Sequence, residues 1–249
     1  MCPAKSQGPS LRRELRQWWK DARSRDSSGK TLLALTNILW EFARESTPGR
    51  RKQRYGDIDY DWDYRVNTTG AAVSWRSRLL GLFNSPYQPT EPALFREMLG
   101  SLNFDFREFI FIDIGSGKGR ALLMAADFPF RRILGVELLH ELDRIAQENI
   151  RNYRSDSQLC FELESVCADA REFEIPAEPL VLYLFNPLPE AGLLQLLDNL
   201  ERSIAENPRS IYLLYHNPLL EHVLTQSMAF EKLHGTQQFS IYQTRTSAK

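Results

Sequence analysis

The feature that most constrains the fold is an apolar run that leads directly into three alternating glycines. Residues 109–120 read FIFIDIGSGKGR, and an apolar helical pattern begins immediately afterwards. A run of this length that is apolar except for Asp113 predicts a strand that is buried on both faces. Glycines at 115, 117 and 119 permit a positive φ and let the backbone approach a ligand closely. The segment therefore predicts a strand, a tight turn at a ligand site, and a helix whose N-terminus supplies free N–H groups.

Two common nucleotide-binding patterns fail on this turn. A P-loop that ends at Gly117-Lys118 requires a glycine where Ile112 stands and a hydroxyl residue where Gly119 stands. The dinucleotide-binding pattern, started at Gly115, requires glycine or alanine where Arg120 stands. The spacing of these glycines therefore indicates a different ligand.

Two acidic residues accompany the glycines. Asp113 stands two residues before the first glycine, and Glu137 closes the next apolar run, ILGVE at 133–137. The two acids are separated by the length of one strand–helix–strand unit. A carboxylate at the end of that second strand can accept both hydroxyls of a ribose.

Apolar runs alternate with helical patterns from residue 92 onward. Helices are predicted over 92–102, 119–127, 141–153, 190–206 and 219–227. Strands are predicted over 109–114, 133–137, 160–167, 180–185, 211–215 and 239–244. Strands separated by helices predict a mostly parallel, doubly wound α/β sheet with helices on both faces, whose ligands bind at the carboxyl ends of the strands. We assign residues 85–249 to this domain and residues 1–84 to an N-terminal extension.

The extension is basic, although the whole chain has a formal net charge of −1. Residues 1–54 carry thirteen Lys and Arg against five Asp and Glu, which leaves a net charge of −9 for residues 55–249. A basic arm can contact nucleic acid, an anionic membrane or an acidic partner, whereas a solvated arm needs no partner. The extension also contains all five tryptophans, which need apolar surface to cover them.

Within the extension, helices are predicted over 10–25 and 31–45, and an acidic and aromatic segment follows at 55–64. Its members alternate as Asp57, Ile58, Asp59, Tyr60, Asp61, Trp62, Asp63 and Tyr64. In an extended chain this period of two places the acids on one face and the aromatic rings on the other. The segment is then either a lid that presents carboxylates to a cationic substrate or a strip packed on the body by its aromatic face.

Cysteine usage and the N-terminal sequence bear on the compartment. Cys2, Cys160 and Cys167 are an odd number without a C-x-x-C pair, so neither a disulfide framework nor a zinc site is indicated, and no metal is expected. No apolar signal region precedes Arg12, and no run is long enough for a membrane span. The expected location is the cytoplasm.

With the glycine turn and the two acids in place, the sequence resembles the class I S-adenosylmethionine-dependent methyltransferases over residues 85–245. The resemblance implies a seven-stranded sheet with S-adenosyl-L-methionine as cofactor. Asp113 and the turn of Gly115, Ser116, Gly117 and Gly119 would hold its amino acid end, and Glu137 its ribose. Asp169, in VCADA, resembles the acid that binds the adenine amino group, with Asp156 and Glu172 as nearby alternatives.

The acceptor side of the site is identified by two further similarities. SPYQPT at 85–90 resembles the loop before the first motif in protein-lysine methyltransferases outside the SET class, so Tyr87 and Thr90 would cover the cofactor. Asn186-Pro187 stands where the family's fourth motif meets the reacting methyl group, although Asn-Pro is also a plain turn signal.

Residues in and after two later strands, and two basic residues at the glycine turn, also have candidate roles. The Asn186 carbonyl, with the hydroxyl of Tyr183 or Tyr215, would orient an amine. His216 is a base, a substrate contact or, more in keeping with its setting, a structural histidine. Lys118 is expected to point outward or to pair with an acid, and Arg120 to have a specific partner.

Three classes of function follow from these residues. The first is methylation of a protein side chain. The resemblance of residues 85–90 implies lysine as the acceptor, and the acidic body would attract a basic substrate. The second is methylation of a nucleic acid or a small molecule, which the basic arm favours in the case of nucleic acid. The third is a non-catalytic module that binds the cofactor.

Overall fold

Strands and helices alternate through the part of the chain that the computed structural model describes, which is Arg16 and residues 58–69, 89–186 and 188–245. The helices are α1 (Ile58–Tyr64), α2 (Pro92–Gly100), α3 (Arg120–Ala125), α4 (His140–Asn152), α5 (Glu190–Glu206) and α6 (Glu221–Thr225), with a 3-10 turn at Phe106–Glu108. The strands are β1 (Ile110–Ile114), β2 (Arg132–Glu137), β3 (Leu163–Cys167), β4 (Leu180–Phe185), β5 (Ile211–His216), β6 (Phe230–Gly235) and β7 (Phe239–Thr244).

The strands form one seven-stranded sheet in the order β3-β2-β1-β4-β5-β7-β6. Neighbours among β1 to β5 are parallel, whereas β7 is antiparallel to both β5 and β6. This confirms the predicted α/β class. The chain leaves β1 toward β2 and β3 and then returns to β4 on the other side of β1, which makes the carboxyl end of β1 a topological switch point where ligands of such sheets bind.

Two apolar layers cover the two faces of the sheet. One layer contains Phe95, Phe111 and Tyr183, and the other contains Ile112, Leu182 and Leu213. Consecutive residues of β1 and β4 alternate between these layers, as the pleat requires. Because both faces are covered, every residue of β1 is buried, which explains why all of them except Asp113 are apolar.

Most predicted elements are found within a few residues of their expected ends, and two differences are informative. The expected strand at 160–167 begins only at Leu163. Strand β6 was not predicted, because only Phe230 among its residues is buried and the rest of this edge strand shows no apolar alternation. Its partner β7 was predicted from its apolar pattern. The pattern did not show that β7 runs antiparallel to its neighbours, because that direction is set by the β6–β7 hairpin.

In its described part, Ile58–Tyr64, the acidic and aromatic segment is a helix, so the expectation of an extended strip was wrong. Tyr60 and Tyr64 stand one turn apart, 4.6 Å between ring centroids, and pack on the body of the domain. Trp62, which alternation would have placed beside them, is 84% exposed. The Asp61 carboxylate accepts the backbone N–H groups of Thr68 and Thr69. It therefore holds the chain segment that follows the helix.

The predicted helices at 10–25 and 31–45 lie outside the described residues, apart from Arg16, as does most of the basic arm. In the described part of the chain, no helix has the length and apolar character needed to cross a bilayer. The boundary at residue 84 remains a prediction.

Candidate cofactor and acceptor site

The glycine turn after β1 adopts the conformation that its sequence predicts. Gly115, Gly117 and Gly119 have φ values of 77°, 56° and 82°, in the region that residues with a side chain avoid. A Cβ atom at Gly119 would lie 3.1 Å from the Cβ of Ala146 on α4. The turn therefore needs glycine for its backbone angles and, at 119, for its packing against α4.

The amides of the turn are used to hold its shape. Gly115 N and Ser116 N donate to the carbonyl of Val136, and Gly119 N donates to the carbonyl of Ser116. Gly117 N donates to Oε2 of Glu137 at 2.8 Å. These four N–H groups are therefore occupied, and the turn forms a close wall at the end of β1, whereas the free N–H groups predicted for the N-terminus of the following helix, which begins at Arg120, stay a prediction.

Ser116 does not present its hydroxyl to the ligand side of the turn. A Cβ atom at Gly135 in β2 would lie 2.7 Å from the Ser116 Oγ and 2.7 Å from Leu122 Cδ1. The Ser116 side chain thus fills the space that Gly135 leaves open, and any contact with a cofactor must come from its backbone. Gly135 was not among the predicted site residues, although a glycine inside a strand is itself a sign of close approach.

Glu137 joins the end of β2 to the glycine turn. Its two carboxylate oxygens accept the N–H groups of Gly117 and Leu139, each at 2.8 Å. Burial raises the pKa of Glu137 to about 7, against the lowering effect of those two hydrogen bonds. Each oxygen keeps a second lone pair, so the carboxylate can still accept hydroxyl groups from a ligand.

Asp113 is the second buried carboxyl, at the position in β1 that pairs with Gly135 of β2 and Tyr183 of β4. Burial raises the pKa of Asp113 well above its ordinary value, and the charge of Glu137 raises it further. Two buried acids at a switch point, both with a raised pKa, form a site that favours a cationic ligand, because a positive charge stabilises their ionised forms.

An asparagine on α4 supports the turn from outside. Asn149 is buried, and its Nδ2 donates to the carbonyls of Lys118 at 2.9 Å and Asn67 at 3.1 Å. Its Oδ1 accepts the N–H of Asn67 at 2.7 Å. Asn149 falls on the apolar stripe of α4 with Leu142, Ile145 and Ala146, and a polar residue on such a stripe was the signal that sequence analysis missed.

Lys118 is buried, which corrects the expectation that it points outward. Its Nζ donates to Oδ1 of Asn67 at 3.0 Å and approaches the carbonyl of Thr69 at 3.4 Å. Burial lowers the pKa of Lys118, although the charges of Asp61 and Glu141 raise it. Arg120 has the partner that its position suggested, since its guanidinium lies 4.2 Å from the centre of the Tyr60 ring. Residues 58–69 thus pack directly on the glycine turn.

A second group of polar side chains lies across β4 and β5. The hydroxyls of Thr90 and Tyr183 are 3.0 Å apart, and the Tyr183 hydroxyl is 2.7 Å from Nδ1 of His216. All three side chains are buried. Burial also raises the pKa of Tyr183 well above its ordinary value, so its hydroxyl keeps its proton.

The His216 ring is stacked on Phe185, with centroids 3.9 Å apart and planes at 18°. These two residues are register partners at the carboxyl ends of β5 and β4. Burial lowers the pKa of His216 to about 4, so the imidazole is neutral near pH 7.

The residues that follow these rings form two matching turns. Asn186 and Asn217 have φ values of 45° and 49°, a conformation that asparagine tolerates better than most residues. Asn186 Nδ2 donates to the carbonyl of Asn217 at 2.6 Å. Asn186 Oδ1 is shielded from solvent and has no hydrogen-bond partner among the described residues. Pro187 and Tyr87, two predicted site residues, lie outside the described residues.

Asp169 follows β3, but its carboxylate is already paired. Arg171 donates to both of its oxygens, at 2.9 Å from Nε and 2.5 Å from Nη2. Burial raises the pKa of Asp169, but the hydrogen bonds and charge of Arg171 bring it below its ordinary value. Its role at an adenine amino group stays a prediction, and it requires the lone pairs that Arg171 leaves.

Tyr215 does not share the acceptor side with Tyr183, so its predicted role in orienting an amine is wrong. It belongs to the apolar layer under α5 and α6, on the opposite face of the sheet from Tyr183 and His216. Its hydroxyl accepts the N–H of Leu220 at 3.3 Å. The alternation of side chains along β5 decides this, because neighbouring residues point to opposite faces.

No family model matches the sequence, and no curated protein has significant sequence similarity to it. Among solved structures, the 23S rRNA methyltransferase ErmE is 13% identical, with a TM-score of 0.44 over 64% of this chain and 70% of its own. An RNA methyltransferase from Salinibacter ruber, in complex with S-adenosyl-L-homocysteine, is 18% identical, with a TM-score of 0.43 over 63% and 92%.

A ribosomal protein L11 methylase from Lactobacillus delbrueckii subsp. bulgaricus is 14% identical, with a TM-score of 0.42 over 62% of this chain and 76% of its own. Likenesses at this level decide neither the cofactor nor the acceptor. Among the described residues, no group of three His, Cys, Asp or Glu side chains is placed to hold a metal ion.

Proposed function

We propose that this protein is an S-adenosylmethionine-dependent methyltransferase that acts on an amine nitrogen. The observation that carries the proposal is the pair of buried carboxyls, Asp113 and Glu137, beside a turn whose amides are largely occupied. The cofactor bears a sulfonium and an ammonium, which two carboxyls attract. A polyphosphate would instead meet two acids and a turn whose own N–H groups are occupied, unlike the free N–H groups that phosphate sites offer.

The residues fit the cofactor in the following way. Glu137 would accept its ribose hydroxyls through the second lone pairs of its oxygens, and Asp113 would face its amino acid end. The glycine turn would provide the close wall between them. Thr90 and Tyr87 would cover the cofactor, and Asp169 would accept its adenine amino group.

When bound, the cofactor supplies a methyl group on a positively charged sulfur, which is already activated for attack. The chain's own residues then need only to bind the acceptor, align its lone pair and exclude water. Asn186 Oδ1, buried and without a partner among the described residues, would accept an N–H of the amine. An unpaired buried acceptor is costly, so a nitrogen acceptor with hydrogens fits this position better than an ether or a carbon acid.

We propose a protein lysine as the acceptor. Residues 55–249 have a formal net charge of −9, which favours a basic protein over a polyanion. A lysine must lose a proton before it attacks, and an apolar surrounding such as the Phe185 ring lowers the pKa of an amine. A nucleic-acid acceptor would use the basic arm instead, and the experiment below separates the two.

Cofactor binding is tested by calorimetry. We expect S-adenosylmethionine and S-adenosylhomocysteine to bind the full chain, whereas NADH and ATP do not. Glu137→Ala should weaken binding roughly a hundredfold, because it removes a charged hydrogen-bond acceptor. Binding of ATP or NADH without binding of the sulfonium would overturn the proposal.

The acceptor is tested with methyl-labelled cofactor and total cell extract, followed by protease or nuclease treatment. Label that protease releases, and that amino acid analysis finds on lysine, supports the proposal. Label that only nuclease releases assigns the acceptor to nucleic acid. If no polymer is labelled although the cofactor binds, the proposed macromolecular acceptor is wrong.

The role of Asn186 is tested with a matched pair of variants. Asn186→Gly keeps the positive φ without strain but removes the amide oxygen, whereas Asn186→Asp keeps an acceptor oxygen. We expect turnover to fall roughly tenfold or more in the glycine variant and less in the aspartate variant, with cofactor affinity unchanged in both. Equal turnover in the wild type and Asn186→Gly would exclude this role.

A further inference from the structure

We propose that His216 is a catalytic residue of the acceptor site, whose Nε2 accepts one N–H of a primary amine while Asn186 Oδ1 accepts the other. This inference rests on the proposed methyltransferase function and deepens it. It assigns to His216 a contact with the acceptor in place of a purely structural role.

Two contacts from β4 fix the His216 ring, and a hydrogen bond from Thr90 supports one of them. Nδ1 lies 2.7 Å from the Tyr183 hydroxyl on β4, which lies 3.0 Å from the hydroxyl of Thr90. Phe185 covers one face of the ring at 3.9 Å. A side chain held this way cannot rotate to expose Nδ1, so only Nε2 is left to contact a ligand.

The hydrogen-bond chain also determines what Nε2 can do. Nε2 has no hydrogen-bond partner among the described residues. If Nδ1 carries the proton, it donates to the Tyr183 oxygen, and Tyr183 in turn donates to Thr90. Nε2 then presents a lone pair, which is an acceptor of the same kind as Asn186 Oδ1.

The sheet brings the two acceptors to adjacent positions. Phe185 and His216 are register partners, and Asn186 follows Phe185 directly. The Asn186 side chain reaches across to the residue after His216, since its Nδ2 donates to the Asn217 carbonyl at 2.6 Å. Both acceptors therefore stand at the carboxyl ends of neighbouring strands, and His216 lies on the face of the sheet that holds Tyr183 and Phe185.

Two acceptors suit a primary amine. With both N–H groups bound, the lone pair of the nitrogen is left to point away from them toward the methyl group. The nitrogen forms a bond to the methyl carbon as the carbon–sulfur bond breaks, and the electron pair of that bond stays on sulfur. The acceptor enters as the free amine, after its ammonium has released one proton to water. The methylated ammonium takes over the positive charge of the sulfonium and leaves the site, so His216 remains neutral throughout.

This arrangement predicts the product. A monomethylated amine has one N–H left, so its return to the site leaves one buried acceptor unpaired. That loss slows a second transfer roughly tenfold. The wild type should therefore release mainly monomethylated product.

The first experiment compares His216→Phe, which keeps the ring stack with Phe185, with His234→Phe as a matched control. His234 is exposed on β6 and meets Phe239 edge-on. With labelled cofactor and protein extract, His216→Phe should lower turnover roughly tenfold or more and raise the dimethylated fraction, while calorimetry shows unchanged cofactor affinity. His234→Phe should match the wild type. Wild-type turnover and product ratio in His216→Phe would overturn the proposal.

The second experiment does not depend on turnover and guards against a misfolded variant. In selectively 15N-labelled wild-type protein, NMR should show His216 with its proton on Nδ1. Adding n-butylamine, a lysine surrogate, with S-adenosylhomocysteine should shift the Nε2 resonance, and Tyr183→Phe should reduce the preference for this tautomer. A proton on Nε2, or no shift with amine, would overturn the proposal.

The two proposals can fail separately. If calorimetry shows no cofactor binding, the proposed function fails and this inference fails with it. If the cofactor binds and the wild type transfers label, but neither the product ratio nor the Nε2 resonance depends on His216, only the inference fails.

Discussion

Among single residues, Glu137 gives the clearest prediction of how the free energy of unfolding depends on pH. Burial raises its pKa to about 7 from an ordinary value of 4.5, so between these values the folded state binds more protons than the unfolded state. The free energy of unfolding therefore falls as pH rises through this window, by about 3 kcal/mol from this group alone. Urea unfolding from pH 4 to 8 should show the fall, and Glu137→Gln should make it shallower.

Asp113 contributes to the same slope with the same sign, because burial also raises its pKa, so Glu137→Gln should reduce the slope without abolishing it. Glu148→Gln is the control, since Glu148 is an exposed carboxyl that pairs with Arg144 on the surface of α4. Equal slopes in the wild type and Glu137→Gln would contradict this account.

Gly119 is the second residue whose role can be measured directly. Its φ of 82° and the 3.1 Å that would separate a new Cβ from Ala146 both oppose a side chain. Gly119→Ala should lower the free energy of unfolding by about 1–3 kcal/mol. Gly100→Ala is the matched control, because a Cβ there meets nothing within 4 Å, and it should leave stability unchanged or slightly raised. Similar effects of the two substitutions in chemical denaturation would show that the turn is not strained by a side chain.

Among elements, helix α1 and the turn after it depend on one carboxylate. Asp61 accepts the N–H groups of Thr68 and Thr69 at 2.9 Å and 2.8 Å, and both threonine hydroxyls as well. In Asp61→Asn one of the two oxygens becomes an amide nitrogen that cannot accept. Hydrogen exchange at the Thr68 and Thr69 amides should speed up roughly tenfold or more, as expected for a loss of about 1–3 kcal/mol locally.

Asp63→Asn tests the same helix without touching the turn, because Asp63 is exposed. We expect exchange at Thr68 and Thr69 to stay at the wild-type rate in this variant. If both substitutions had the same effect, the helix charge would matter and the Asp61 hydrogen bonds would not.

The elements also show where sequence patterns succeed and fail. Strands β1 and β4 were predictable because both faces of the sheet are covered, so every residue except Asp113 is apolar or aromatic. Helix α1 was mistaken for an extended strip. Aromatic residues at every second position fit the period of a strand, but Tyr60 and Tyr64, four residues apart, also fit the period of a helix. Contacts outside the helix stabilise it, since Tyr60 packs against Arg120 and Asp61 accepts hydrogen bonds from Thr68 and Thr69.

At the scale of the whole molecule, the uneven charge predicts how the acceptor is attracted. Four basic residues close the arm, namely Arg50, Arg51, Lys52 and Arg54. Replacing all four by Gln in the full chain makes the formal net charge more negative by four. For a basic protein acceptor, KM should fall several-fold at low salt, and the difference should disappear at about 0.5 M salt because charge interactions are screened.

The opposite result has an equally definite meaning. If the acceptor is a nucleic acid, the same variant should bind it more weakly, and the slope of log affinity against log salt should become shallower by up to about 4. A KM that rises with these substitutions would therefore count against lysine as the acceptor.

The sequence by itself determined the α/β class, the position of the glycine turn and the two acids beside it. These follow from local patterns, because a buried strand must be apolar throughout and a tight turn needs residues that tolerate a positive φ. The sequence did not show on which face of the sheet a given strand side chain lies. Tyr183 and Tyr215 look alike in the sequence, yet they lie on opposite faces.

Only the tertiary structure assembled the contacts that join distant parts of the chain. Asn149 meets Lys118 and Asn67, and His216 meets Tyr183 and Thr90. No local pattern encodes these pairs, because they depend on strand order and register, which are set by the packing of the whole sheet. The physical reason is that hydrogen bonds between distant residues become favourable only after the core has brought their partners together and excluded water from them.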